Sequence, residues 1–493
     1  WKKVNNNGKG FKIKYYKGLG TSTSKEFKEY FKEKKIVYFK DNGEVSRNSI
    51  DMVFNKKRAA DRKVWLEGYE RDRYLDTSSN LISYEEFIHS EMSHFSKYDC
   101  ERSIPNIMDG LKTSLRKVIF TAFKRRLTSE IKVAQLSGSV SEMSCYHHGE
   151  SSLNGAIVNM AQIFVGSNNI NLLEPKGQFG TRLAGGSDSA SERYIFTNLN
   201  PLTRYIYRES DDAILEYLDD DGTAVEPIYY APVIPMILVN GSKGIGTGFS
   251  TDIIPHNPRQ IIEYIKKSLE GSVELPEVEP YYEGFKGSIE KISQSKYLIK
   301  GKYDIISEKQ VRITELPIGT WTDNYKQELE NMIDKTNAKA KTKSKKNYIT
   351  DYKDMSTDTT VDITVTFTPG VLNQLVMKET ENGCNELEKM LKLYTTKTTT
   401  NMHMFDEKQK LRKYESINDI LDHFIGVRKN IYQKRKEHLL EALKYDVCLI
   451  SNKAKFILEI LNETLDLRRK KSNEVAELLK SKDYTIINDD PTY

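Results

Sequence analysis

Tyr146-His147-His148-Gly149-Glu150-Ser151, Gly177-Gln178-Phe179-Gly180-Thr181-Arg182 and Ala190-Ser191-Glu192-Arg193-Tyr194-Ile195-Phe196-Thr197 lie within one stretch of the chain, and its reading decides the fold. By residue type alone these segments are uninformative. Adjacent histidines on a strand face opposite ways, so His147 and His148 make a poor joint metal site. One tyrosine among 29 is ordinarily a half-buried packing residue, and an arginine beside it an ordinary surface charge.

Around this stretch, from about 96 to 232, the pattern is mainly helical. Leu111, Leu115, Val118, Ile119 and Phe123 recur at helical spacing, with Lys112, Arg116, Lys117, Lys124, Arg125 and Arg126 among them. A second helix is expected over Glu130 to Val140, interrupted at Gly138. Helix, turn, short helix and a strand-like segment suit a helix-turn-helix or winged-helix module. Upstream, Phe11 to Tyr16 alternates like a strand, Lys17 to Ser22 turns out of it, and a helix follows with Ser24 as its expected cap. Residues 66–95 are charged, carry few apolar positions and read as a linker. From 233 to 408, short strands are expected at Ser288–Ile292 and Val311–Glu315, and Val361, Ile363, Val365 and Phe367 alternate cleanly. Lys335 to Lys346 carries six lysines and reads as a solvated loop. From 409 the chain is helical. Leu439, Leu443, Val447, Ile450, Ala454, Ile457 and Leu461 step by threes and fours, and no proline falls between 401 and Pro491. A helix over 428–466 would be about 57 Å long, an extended coiled-coil arm with no following helix to pair with it.

The totals narrow the class. The chain has 493 residues, room for several domains, and no apolar run of the roughly 20 residues that a bilayer span needs. No signal peptide is visible; the chain opens on Trp1, so its native N-terminus is expected to lie elsewhere. Its 75 basic and 70 acidic residues leave +5, so local charge matters more than the sum. Four separated cysteines form no zinc or disulfide pattern, and a reducing compartment is the default.

The three opening segments, as YHHGE, QFGTR and RYIFT, resemble the winged-helix signature of type IIA DNA topoisomerases in their eukaryotic form. The same family supplies YYKGLGTS at 15–22, RSIPNIMDGLK at 102–112, KVAQLSGSVSEMS at 132–144, VNGSKGIGTGFST at 239–251 and ELPIGTWT at 315–322, in the family's order. The resemblance implies a multidomain α+β chain: a partial Toprim α/β end at 1–65, the linker at 66–95, a winged-helix DNA-binding domain at 96–232, an α/β tower domain at 233–408, and a long coiled-coil arm at 409–493.

It also implies roles. Tyr194 matches the nucleophile that attacks a DNA phosphodiester, leaving a 5′-phosphotyrosyl link. A phenol titrates near about 10, so phenolate is both a competent nucleophile and a good leaving group. Arg193, Arg102 and Lys112 match cations of the site and His148 its histidine, groups that offset charge in the transition state or move a proton. The blander alternative for Arg102 and Lys112 is phosphate-backbone anchoring without a catalytic share. Glu192 departs from the family's proline or small residue and threatens to weaken the field of Arg193. Ile245 matches the isoleucine that wedges between base pairs, or else is a core residue in a glycine-rich turn. Lys132 and Gln135 fall on the expected recognition helix; His147, Gln178 and Lys17 complete the expected DNA contacts. Asp219-Asp220-Asp221-Gly222 resembles a metal loop but reads as solvated surface, so no metal ligand is expected in this chain. The family's Mg²⁺ ligands are expected upstream of KGLGTS, and its ATP is used by a separate domain.

The expected partners are duplex DNA and a second copy of the chain, with no membrane, and the expected location is the nucleus. The leading reading is therefore the DNA gate of an ATP-dependent topoisomerase. The alternatives are an inactive DNA-bending scaffold, a structural coiled-coil protein, and the A subunit of a bacterial gyrase. The last is disfavoured because KGLGTS and RSIP share one chain here, whereas bacteria divide those regions between two polypeptides.

Overall fold

The computed structural model describes residues 9–10, 14, 22–34, 36–70, 72–76, 78–220, 222–334, 348–468 and 470–485. They form two compact units, residues 1–99 and 100–493. No helix among the described residues is long and apolar enough to cross a membrane.

In the first unit, helix Ser24–Lys32 starts from Thr23 rather than from Ser24. The Thr23 hydroxyl accepts from Glu26 N at 3.4 Å and the Glu26 carboxylate accepts from Thr23 N at 2.6 Å, a reciprocal capping box. The expected strand at Phe11 to Tyr16 and the Lys17 turn lie, Lys14 and Ser22 apart, outside the described residues. The stretch 66–95, expected to be a linker, instead carries packed elements. Helix Ala59–Glu67 ends in it, strand Leu81–Ser83 pairs in parallel with Tyr38–Lys40, and helix Tyr84–Phe87 runs on into a π-turn at Ile88–Met92. Leu66, Ile82 and Ile88 are buried. One apolar anchor per short element fastens the segment, too sparse a pattern to register as a period.

In the second unit, helices Thr113–Lys124, Val133–Met143 and Glu150–Ala161 pack on one another around Val118, Ile119, Val133, Leu136, Leu153 and Ile157. A small antiparallel sheet sits beside them, ordered Ile131–Lys132, Phe196–Leu199, Leu173–Lys176. The second helix begins at Val133 and passes through Gly138 unbroken, correcting the expected interruption. The same core extends through Ile237, Leu238 and Ile253 to Ile420, Leu421 and Phe424, so it runs across the expected boundaries near 232 and 408.

At the centre of this core Asp109 is wholly buried. Its carboxylate accepts Arg116 Nε at 2.6 Å, Leu111 N at 2.9 Å and Tyr230 N at 3.0 Å, while its carbonyl accepts the Tyr207 hydroxyl at 3.2 Å. Gly110, with φ +69°, lies so close to Ile237 that a Cβ would stand 2.6 Å from its backbone nitrogen.

Beyond lies a four-stranded antiparallel sheet, ordered Lys302–Ser307, Gln310–Glu315, Ile363–Phe367, Ile349–Asp354, with helix Thr322–Asp334 against it. Ile363, Val365 and Phe367 point into a core of its own, as their alternation requires. A second sheet joins Ser288–Ser293, Lys296–Lys300 and Tyr394–Thr398. The buried Arg182–Glu315 ion pair links this region to the loop after Gly180. Lys335 to Lys346 lies outside the described residues.

The arm is one helix, Ile417–Leu461. A second helix, Ser472–Ser481, does return along it, contrary to expectation: Tyr484 Oη donates to Glu459 at 3.2 Å, Lys482 pairs with Glu459 at 3.2 Å, and the Phe456 and Tyr484 rings meet edge to face. It is only ten residues long, with Val475, Leu478 and Leu479 as its few large apolar positions, too short a run to stand out as a period.

Hairpin Ser242–Ile245/Ser250–Ile253 shows why glycine flanks Ile245. Side chains alternate along a strand. Gly244 and Gly246 face the end of helix Ser93–Ser103, where a Cβ would stand 1.9 Å from the Ser103 carbonyl oxygen and 3.0 Å from Cys100 Cα respectively. Ile245 therefore points away, and it is 84% exposed.

Two outcomes are expected. Asp109→Asn strips Arg116 of its buried counter-charge and should lower stability by about 3 kcal/mol or more; an unchanged denaturant midpoint would remove Asp109 as the hub. Gly244→Ala should destabilise by about 1–3 kcal/mol through overpacking, whereas Gly138→Ala, with nothing within 4 Å of the added carbon, should gain about 0.5–1 kcal/mol of helix propensity. Equal thermal shifts for the two glycine variants would contradict the packing described for the hairpin.

Candidate nucleophile and nucleic-acid interface

Tyr194 closes a turn in which its N–H donates to Ser191 O at 2.9 Å. The next residue, Ile195, is buried, and Phe196–Leu199 then joins the small sheet. Ile195 acts as the peg that leaves Tyr194 outside, 72% exposed. Helix Val133–Met143 begins directly against this turn. Val133 N donates to Ile195 O at 3.1 Å and Ala134 N to Glu192 O at 3.2 Å. Two helix-terminal amides that have no partner within the helix are thereby satisfied, and the turn is held at both ends. From the other side, Ala190 N donates to Gln178 O at 2.9 Å, which brings exposed Gln178 next to the turn. Gly177, φ +112°, allows the approach: a Cβ there would stand 3.0 Å from Ile195 Cγ2.

The Arg193 guanidinium lies 5.7 Å from the centre of the Tyr194 ring. A positive charge thus sits near the ring whose phenolic oxygen would carry developing negative charge. Glu192 turns elsewhere. Its carboxylate accepts the Ser191 hydroxyl at 3.3 Å, and it forms no ion pair with Arg193 among the described residues. The concern that Glu192 weakens the arginine therefore finds no support in the contacts.

Lys132 ends a strand and caps the helix rather than lying on it; its ammonium stands 5.9 Å from the Phe196 ring. Gln135 is exposed in the first turn. His147 and His148 do diverge, but from a turn and not a strand. His147 Nε2 meets Asp220 at 3.1 Å, while the His148 ring packs edge-on to Tyr146, centroids 5.4 Å apart. Lys17 lies outside the described residues.

Lys112 and Arg102 gather elsewhere. Lys112 Nζ donates to Lys243 O at 2.6 Å, at the foot of the hairpin, and burial pushes its ammonium below the usual lysine range. Arg102 is exposed in the last turn of the helix that receives Gly244. No hydrogen bond or ring contact among the described residues joins Lys112 to Arg193 or Tyr194. Two clusters result, one around Tyr194 and one around Ile245. Lys243 was missed in the sequence; its place two residues before Ile245, on the same strand face, was the available signal.

Among its described residues the aspartate loop is engaged in other contacts. Asp219 accepts from Gly222 N at 2.8 Å, Asp220 is engaged by His147, and Asp221 lies outside the described residues. No cluster of three His, Cys, Asp or Glu side chains fit for a metal occurs among the described residues.

Comparison with known proteins agrees with this geometry. The family described as the A subunit of DNA gyrase/topoisomerase IV matches residues 102–492, and the C-terminal associated domain of TOPRIM matches residues 1–100. DNA topoisomerase 2 of Plasmodium falciparum is 46% identical over 492 residues, 99% of this chain and 34% of that protein. DNA topoisomerase 2 of Drosophila melanogaster is 44% identical over 498 residues, 98% of this chain and 34% of that protein. The crystal structure of the Plasmodium falciparum topoisomerase II DNA-binding, cleavage and re-ligation domain shares the fold with a TM-score of 0.83 at 46% identity, covering 98% of this chain and 64% of that one. The chain spans about a third of the length of the curated relatives it matches. It belongs to the type IIA DNA topoisomerases.

Proposed function

We propose that this chain is the DNA gate of a type II topoisomerase, in which Tyr194 cuts one strand of a duplex and a second copy of the chain cuts the other. The observation that carries the reading is the presentation of Tyr194: exposed, pegged by buried Ile195, clamped by two helix amides and flanked by Arg193. A packing tyrosine has no need of such a mount. The helices and small sheet that supply it serve as a winged-helix domain, the sheets beyond as the tower, and Ile417–Leu461 as the coiled-coil arm.

The phenolic oxygen of Tyr194 attacks the phosphorus of a phosphodiester. An O–P bond forms and the P–O3′ bond breaks. The phenol proton leaves to a base, a step that His148 assists, and the 3′ oxygen departs as a hydroxyl. One phosphodiester is exchanged for another, so the reverse step reseals the strand without a high-energy cofactor. Arg193, with Arg102 and Lys112 contributing from bound DNA's other flank, offsets charge on the transferring phosphoryl group. Ile245 enters a base step and kinks the duplex. The described carboxylates do not form a divalent-ion site, so no step is routed through Mg²⁺. Use of ATP, passage of a second duplex and action in the nucleus belong to the same proposal. A DNA-bending scaffold without catalysis is the second reading; the Arg193–Tyr194 mount weighs against it.

Tyr194→Phe should abolish covalent attachment to DNA and leave duplex affinity nearly unchanged, because one hydroxyl adds little to a large phosphate interface. Detergent-trapped protein–DNA adducts from the phenylalanine variant would end the assignment. Ile245→Ala should reduce bending more than affinity; energy-transfer bend angles equal to wild type would remove the wedge.

A further inference from the structure

Lys243 and Ile245 are two residues apart on one strand, so their side chains share a face. The strand register places Asp252 opposite Lys243 and Ser250 opposite Ile245. Lys397, on strand Tyr394–Thr398 of the neighbouring sheet, reaches the same carboxylate. Lys243 Nζ lies 3.8 Å and Lys397 Nζ 3.9 Å from Asp252 Oδ2. Both exceed hydrogen-bond length, so one carboxylate is shared loosely by two ammonium groups. Lys112 adds a third cation at the Lys243 carbonyl. Two lysines from two elements therefore share one acidic group, and a third lysine holds the backbone of one of them.

Lys243, Asp252 and Lys397 border a cavity of about 300 Å³ that Tyr282, Trp321 and Pro255 also line. The Lys397 side chain is only 23% exposed. Burial first, and Lys243 second, depress its ammonium below the usual lysine range. Two ammonium groups thus share one carboxylate, and Lys397 is partly stripped of water while Lys243 stays 67% exposed, so an added anion would meet an uncompensated charge at the cavity mouth. Two residues of strand span roughly 6.6 Å, so the backbone positions of Lys243 and Ile245 are about one nucleotide step apart on the same face.

We propose that the cavity at the foot of the glycine hairpin anchors a backbone phosphate of the duplex, held by Lys243 and Lys397 and admitted as Asp252 yields its two cations. The anchor rests on the DNA-gate reading. It holds the strand beside the base step that Ile245 opens, so that the kink is fixed by charge on the same face of the same hairpin.

The test is duplex affinity of the full chain measured across 50 to 200 mM salt. Each phosphate neutralised contributes about 0.9 to the slope of log affinity against log salt. Losing the anchored phosphate in Lys243→Gln/Lys397→Gln should flatten that slope by about 0.9, so that wild type loses roughly three- to fourfold more affinity over the range than the variant does. Asp252→Asn frees the lysines and should tighten binding severalfold, an effect that a merely structural ion pair would not produce. Wild-type binding of duplex together with an unchanged slope in the double variant, or weaker binding by Asp252→Asn, would overturn the anchor and leave the gate reading standing. Absence of salt-dependent duplex binding in wild type would overturn both. Inorganic phosphate alone, followed through Trp321 emission, separates the sources: saturable binding that Lys397→Gln abolishes, with no change in the duplex salt slope, would reassign the cavity to a free anion.

Discussion

The Asp109–Arg116 ion pair is closed off from water, and a charge held there must be matched or it becomes strongly destabilising. Every acceptor position on the carboxylate is used, by a guanidinium from one helix and by amides from Leu111 and Tyr230. The loop from Asn106 to Lys112 is therefore fixed in shape, and with Gly110 pressed on the backbone of Ile237 it is fixed in place. Arg102 leads into that loop and Lys112 leads out of it. Helix Met236–Asn240 runs from the same contact into the hairpin that carries Ile245. One buried charge pair thus sets the positions of the cations and of the exposed isoleucine, although it touches neither.

The Tyr194 mount obeys a second economy. The start of helix Val133–Met143 needs acceptors for its free amides, and the turn at 192–195 needs rigidity; the carbonyls of Glu192 and Ile195 meet both needs. The turn that carries Tyr194 is thereby tied to the start of the helix beneath it.

Much of this was legible in the residues. The alternation at 361–367 and the helical spacing around Val118 and Ile119 fold as their periods demand. The family motifs pointed to Tyr194, Arg193 and Ile245, and all three side chains are exposed. Less legible were features that depend on distant partners. Ile245 fits a core or a surface equally until the carbonyl of Ser103 forces its glycine neighbours inward. Lys112 looked like one more cation of the Tyr194 cluster, yet its bond to Lys243 O places it at the hairpin. Asp109, inside a recognised motif, gave no sign that it was the hub, because burial is not written in a single aspartate. The stretch 66–95 and the helix Ser472–Ser481 were missed for a shared reason: each is fastened by a few isolated contacts rather than by a stripe.

The root of the long helix has a mechanical meaning. Ile420 to Ile431 lies in the core, and beyond it Arg428 and Arg435 converge on buried Asp211 with Tyr432 between them. Arg428 approaches Asp211 at 2.8 Å, but its N–H groups do not line up for a hydrogen bond. That contact is held by charge more than by direction, and charge tolerates rotation as aligned bonds do not. From Arg435 to Leu461 the helix extends roughly 40 Å, so each degree of tilt at this fulcrum carries the tip by roughly 0.7 Å. The aligned Arg435 Nε bond to Asp211 at 2.6 Å and the buried side chains from Ile420 to Ile431 hold that root, so the reach of the far end is set by how firmly these few contacts fix its angle.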